Sequence, residues 1–177
     1  SILQQLMVAG NETTTSSLAG GLVQLIRNPD QADKVRADPS LIRNMVEEIL
    51  RTESPTAGLW RVVKRDTELG GVPLKTGSML MLRFAAANRD PARFANPDAF
   101  DVERKNASSH LAFGRGIHMC VGNMLARKEL AVAFDELLRR LDQFEIADET
   151  AMTYPPNMLL RGLSALPIRF VARTTAP

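Results

Sequence analysis

The sequence predicts a mainly α-helical fold with small β-sheets, on three observations. Apolar residues recur at helical spacing up to Arg27, again through Leu41, Met45, Ile49 and Leu50, and again from Val121 to about Leu141. Between the last two of these stretches the pattern changes to period two, over 59–63 and 78–84, with a Gly70-Gly71 turn between them. The composition, 45% hydrophobic and 24% charged over 177 residues, suits one domain with a real core.

In chain order, residues 1–27 read as one long helix with Leu18, Leu22, Leu25 and Ile26 on its apolar side. It opens on Ser-Ile-Leu-Gln-Gln, read here as a helix already under way without a cap, and Asn28-Pro29 ends it. A short polar helix follows to Ala37, closed by Asp38-Pro39, and a third helix has Ser40 near its start. After Pro55 come the two strand-like stretches, then a turn-rich segment from Ala87 to Asp101. The helix from Val121 carries Leu130, Phe134, Leu137, Leu138 and Leu141 on one stripe, and the tail has β-like segments near Leu159 and over 168–171. No internal repeat or low-complexity linker occurs, and no apolar run is long enough to span a membrane. A formal charge of +2 gives no nucleic-acid signature, and one cysteine excludes an intrachain disulfide and suits a reducing, cytoplasmic compartment.

That cysteine lies in the chemically richest stretch, His110-Leu-Ala-Phe-Gly-Arg-Gly-Ile-His-Met-Cys-Val-Gly122, spaced Phe113-x-x-Gly116-x-His118-x-Cys120-x-Gly122. Cys120 falls at the N-terminus of the last long helix, where unpaired backbone N–H groups and the helix dipole favour a thiolate. Gly116 and Gly122 permit the tight turns and close backbone approach that a flat ligand over the loop requires. Phe113 can shield the sulfur from water, and His118 offers a polar group to the same ligand. A second unusual stretch, Ala9-Gly10-Asn11-Glu12-Thr13-Thr14, lies inside the first helix. Glycine costs about 1 kcal/mol there and threonine is a poor helix former. By itself it reads equally as a small-residue packing patch or a solvated face.

Together these motifs resemble the haem-thiolate signature and central-helix motif of the cytochrome P450 family. The resemblance extends over essentially the whole chain, in motif order, and implies the C-terminal, haem-binding half of the cytochrome P450 fold in its soluble, bacterial-type form. On it, Cys120 is the axial ligand of haem b iron, and Phe113, Gly116 and Gly122 shape the loop beneath the haem. Arg61 and His118 contact the haem propionates, for which arginine's forked guanidinium suits a carboxylate. Ala9 and Gly10 leave room above the iron for dioxygen and substrate. Thr13 and Glu12 are the catalytic pair, an alcohol for hydrogen bonding and an acid that relays protons. Glu48 and Arg51, three apart on a helix, would join Arg104 in a structural triad that locks the cysteine loop. The segments Thr56-Ala57-Gly58-Leu59 and Met158-Leu159-Leu160 would face the substrate.

The implied reaction inserts one atom of O2 into a C–H bond of a small apolar organic substrate. NAD(P)H supplies the electrons through a ferredoxin with its reductase, or through a flavodoxin-like donor. Arg115, Arg127 and Lys128 form a candidate basic docking patch for that donor, or else a solvated charged face. Alternatives are a peroxide-using or isomerising haem-thiolate enzyme, and a non-catalytic haem-binding sensor or remnant. The resemblance also implies that 1–177 is a partial domain whose N-terminal half is absent. The chain alone is then expected to bind haem weakly or not at all and to expose apolar surface.

Overall fold

The computed structural model of the chain describes residues 1–173. Among them are five α-helices and three two-stranded antiparallel sheets, as the mainly α reading expects. Helix α1 runs Ile2–Arg27, and its start is capped after all: the Ser1 hydroxyl accepts the Gln4 N–H at 3.3 Å. Its C-terminal half is buried at Leu22, Val23 and Leu25, whereas Ile2, Leu3, Leu6, Met7 and Val8 are exposed. The Asn28 amide closes it by donating to Gln24 O at 2.8 Å, and Pro29 opens α2, Pro29–Ala37. Asp38 caps a 3₁₀ turn, Pro39–Leu41, that leads into α3, Ile42–Glu53.

Strand β1, Leu59–Val62, pairs with β4, Met79–Leu82, with Leu59 opposite Leu82. The hairpin between them is β2, Thr67–Leu69, and β3, Val72–Leu74, around Gly70 and Gly71 at φ 58° and 80°. Two consecutive left-handed residues match the twist of a tight hairpin, which is why the turn was readable. The strand expected to reach Phe84 stops at Leu82, because Phe84-Ala-Ala-Ala87 turns into a short helix, α4. Helix α5, Asn123–Arg140, starts past the expected Val121 and ends before Leu141. Leu141 instead opens β5, Leu141–Ile146, which pairs with β6, Ile168–Ala172. Arg36 of α2 satisfies the carbonyls at that abrupt change, donating to those of Leu138, Leu141 and Asp142 at 2.7–3.0 Å. The strand-like segment near Leu159 is a single bridge between Leu160 and Thr56.

The core lies where α1, α3 and α5 meet, centred on Leu25, Met45, Ile49, Leu130 and Phe134. Gly21 makes this approach possible: a Cβ there would sit 2.6 Å from Phe134 Cζ and 2.8 Å from Ile49 Cδ1. The cysteine loop is carried on one end of this three-helix core, at the start of α5.

Candidate functional site

Cys120 is an exposed free thiol at the junction of loop and helix, three residues before α5 begins. The loop folds on itself through hydrogen bonds to the cysteine peptide. The Cys120 N–H donates to Phe113 O at 2.9 Å, and Cys120 O accepts the Asn123 side-chain amide at 2.7 Å. Gly116 adopts φ 74°, a conformation other residues take at a cost, and opens the 3₁₀ turn Gly116–His118. His118 is exposed, as are Ile117 and Val121 beside the thiol. A Cβ on Gly122 would lie 3.9 Å from the sulfur. Arg61 sits on β1 opposite Leu80, half-buried, and donates to Trp60 O.

On α1, Ala9, Gly10 and Glu12 are exposed and Thr13 is half-buried. The Thr13 hydroxyl donates to Ala9 O at 2.7 Å, the back-bonding expected of a mid-helix threonine. Glu12 lines a cleft of about 570 Å³ between α1 and the tail, with Asn11, Thr15, Leu160 and Gly162, and Thr13 does not line it. The pair is adjacent in sequence but only Glu12 faces this cleft. The substrate-facing candidates from two distant segments do meet: Ala57 N–H donates to Leu159 O at 2.7 Å and Thr56 bridges Leu160. Leu59 begins β1 and is exposed.

Glu48, Arg51 and Arg104 meet in the interior. Glu48 and Arg51 have no exposed surface, and the carboxylate takes Arg51 Nε and Nη2 at 2.7 and 2.8 Å and Arg104 Nε at 2.9 Å. All five Arg51 N–H groups find acceptors, two on Glu48 and three on the carbonyls of Asn88, Pro97 and Ala99. Arg104 adds the carbonyls of Ala95, Asn96 and Ala99. Asn88, fully buried, accepts the Leu111 N–H at 2.6 Å and so links this centre to the start of the cysteine loop.

Sequence reasoning missed a second ionic group. Glu47, beside Glu48, takes Arg127 Nε at 2.5 Å and Nη2 at 3.0 Å, and meets His110 Nε2 at 3.1 Å. Burial pushes the Glu47 carboxyl up, but the hydrogen bonds from His110 and Arg127 and the Arg127 charge outweigh it and lower it to about 2. The guanidinium also lies over the Phe113 ring, 4.6 Å from its centroid. Arg127 is therefore engaged with its own chain, whereas Arg115 and Lys128, the other two residues of the expected basic patch, are exposed. The only local signal was an acid beside Glu48; the partners are distant in sequence.

Among the described residues no group of three or more His, Cys, Asp or Glu side chains could hold a metal ion, and no helix is long and apolar enough to cross a membrane. A metal at the lone, open Cys120 thiol must bring its other ligands with it, which fits an iron porphyrin and not a protein-caged ion. The Cytochrome P450 family profile matches residues 2–168, and the chain belongs to that family. It is 43% identical over 166 residues to a Steroid C26-monooxygenase of Mycobacterium tuberculosis, covering 93% of this chain and 44% of that protein. It is 41% identical over 165 residues to the Biotin biosynthesis cytochrome P450 of Bacillus subtilis, covering 93% of this chain and 41% of that one. The solved structure of cytochrome P450 CYP109Q5 from Chondromyces apiculatus superposes with a TM-score of 0.90 at 39% identity, over 97% of this chain and 44% of that chain. The chain thus spans under half the length of the curated relatives it matches.

Proposed function

We propose that this chain carries the haem-binding part of a monooxygenase that inserts one atom of O2 into a C–H bond of a small apolar organic substrate, with electrons from NAD(P)H through a ferredoxin or flavodoxin-like donor. The observation that carries the reading is the single open thiol of Cys120 at the start of α5, in a chain of the cytochrome P450 family. When bound, haem b supplies oxygen activation and electron transfer.

The protein's own residues then have separable tasks. Cys120 binds the iron through sulfur, with its peptide held at both ends by Phe113 O and Asn123. Arg61 and His118 supply cationic and hydrogen-bonding groups for the two propionates. Ala9 and Gly10, without bulk, leave room beside α1. Glu12 faces a cleft open to solvent and can carry protons inward, while Thr13 can turn its hydroxyl from Ala9 O toward an acceptor beside the helix. Thr56, Ala57, Leu59, Leu159 and Leu160 offer apolar surface that excludes water from the substrate. A relative of 43% identity is named a Steroid C26-monooxygenase, which supports an apolar substrate as a class.

The test is the carbon monoxide difference spectrum of the reduced, complete protein beside Cys120→Ser. A red-shifted Soret band abolished by the substitution supports the reading, and a band unchanged by it refutes Cys120 as ligand. A peroxide-using enzyme is the second reading, favoured by the engagement of the Thr13 hydroxyl with Ala9 O. NAD(P)H-dependent product formation with a surrogate ferredoxin system rules that reading out.

A further inference from the structure

Cys120 is anchored by both ends of its peptide, and both anchors lead to the same side chain. Its N–H donates to the carbonyl of Phe113, whose ring lies under the Arg127 guanidinium. Its carbonyl accepts the Asn123 amide, and Asn123 Oδ1 in turn accepts Arg127 Nη1 at 2.8 Å. Arg127 itself is fixed by the two oxygens of Glu47 on α3. His110 completes the group: its side chain is 1% exposed, and its ring tilts against Phe113 with centroids 5.7 Å apart. The Ala112 N–H donates to His110 Nδ1 at 3.1 Å, which leaves Nε2 to carry the ring proton toward Glu47 Oε2.

We propose that Glu47, His110 and Arg127 form a positioning cluster that fixes the Cys120 backbone, and with it the direction in which the sulfur is presented to the haem iron. The proposal rests on the reading of Cys120 as the iron ligand. An ion pair serving only to join α3 to α5 would need no contact with the loop. Here one guanidinium meets a carboxylate, an amide and an aromatic face at once; the amide holds the Cys120 carbonyl, and the ring belongs to the residue whose backbone carbonyl holds the Cys120 N–H. A lysine could keep the charge toward Glu47 but lacks the planar fork that reaches the other two.

The experiment uses the complete haem-loaded protein with Arg127→Gln, Arg127→Lys, Glu47→Gln and Cys120→Ser. Backbone hydrogen exchange is read at Cys120, with the Leu138 amide in the same helix as reference, beside the carbon monoxide difference spectrum. The expectation for Arg127→Gln is about tenfold faster exchange at Cys120 relative to Leu138, the factor that about 1.4 kcal/mol of local stability corresponds to. Part of the red-shifted band passes to an unshifted one, Arg127→Lys recovers little of either change, and Glu47→Gln shifts both in the same direction. If Arg127→Gln does not fold, Arg127→Lys and Glu47→Gln decide by the same two readouts. A lowered melting temperature with the Cys120/Leu138 exchange ratio and the band unchanged overturns the proposal. A red-shifted band that survives Cys120→Ser sinks the ligand reading instead. The exchange ratio then still decides whether the cluster fixes the loop.

Discussion

Glu48→Gln is the most demanding perturbation of this fold, because it changes almost no volume and one charge. The carboxylate has no exposed surface and lies between two guanidiniums at 2.7–2.9 Å. A neutral amide keeps one acceptor oxygen and turns an NH2 group toward an arginine, donor against donor, so one cation loses its counter-charge inside the protein. Removing one partner of a buried ion pair costs about 3–5 kcal/mol, a large share of the roughly 5–15 kcal/mol that stabilises a domain. Urea unfolding of the complete protein, followed by helical circular dichroism, should show the midpoint lowered with the denaturant slope unchanged. The control is Glu136→Gln, which removes the exposed ion pairs with Arg139 and Arg140 and should move the midpoint little. If Glu48→Gln costs no more than Glu136→Gln, the buried triad does not stabilise the fold and the argument fails.

Three further outcomes are expected. Glu47, lowered to about 2 from the ordinary 4.5, contributes stability that is full above pH 4.5 and lost as pH falls toward 2. That shift corresponds to about 3 kcal/mol, so Glu47→Gln should be clearly less stable than the parent at pH 7 and nearly equal to it at pH 2; equal loss at both pH values would refute this. In α1, Gly21→Ala should destabilise by about 1–3 kcal/mol through overpacking, whereas Gly10→Ala, with open space around its Cβ, should stabilise the helix by about 0.5–1 kcal/mol and reduce turnover. Thermal melts and product assays check both, and the same sign at the two glycines would contradict the packing described. Lys128→Glu should weaken donor-driven turnover and spare peroxide-driven turnover, and equal loss in both assays would remove Lys128 from the docking surface.

The long helices were legible because their apolar residues recur at helical spacing, which reports burial of one side; α5 buries the stripe Leu130, Phe134 and Leu138, while α1 and α3 also bury consecutive residues where they meet the core. The hairpin strands β2 and β3 were not, since three-residue strands exposed everywhere but at half-buried Leu74 leave no alternation to read. Strand β5 was hidden by Leu141, which continues the helical stripe. Where the helix stops, Arg36, far upstream, takes the Leu138 carbonyl inside the helix and the Leu141 carbonyl just past it, and no residue near Leu141 encodes that. At the site, Cys120 announced itself by its spacing, whereas Glu48-x-x-Arg51 drew meaning only from a family resemblance. Arg127 was read as part of a donor-docking patch or else a solvated face because its partners Glu47 and Phe113 lie on other elements, and side-chain pairing across the chain has no local signature.

The irregular stretch between α4 and the cysteine loop can be viewed as coordination chemistry. It contains no sheet ladder, yet carbonyls of Asn88, Ala95, Asn96, Pro97 and Ala99 all turn inward onto Arg51 and Arg104. A calcium-binding loop is shaped the same way, with backbone oxygens wrapped around a central positive charge. Here the central charges are covalently attached to the chain, so no chelator can extract them and no metal supply limits their occupancy. This stretch thus has the geometry of a cation-templated shell with a permanently bound template.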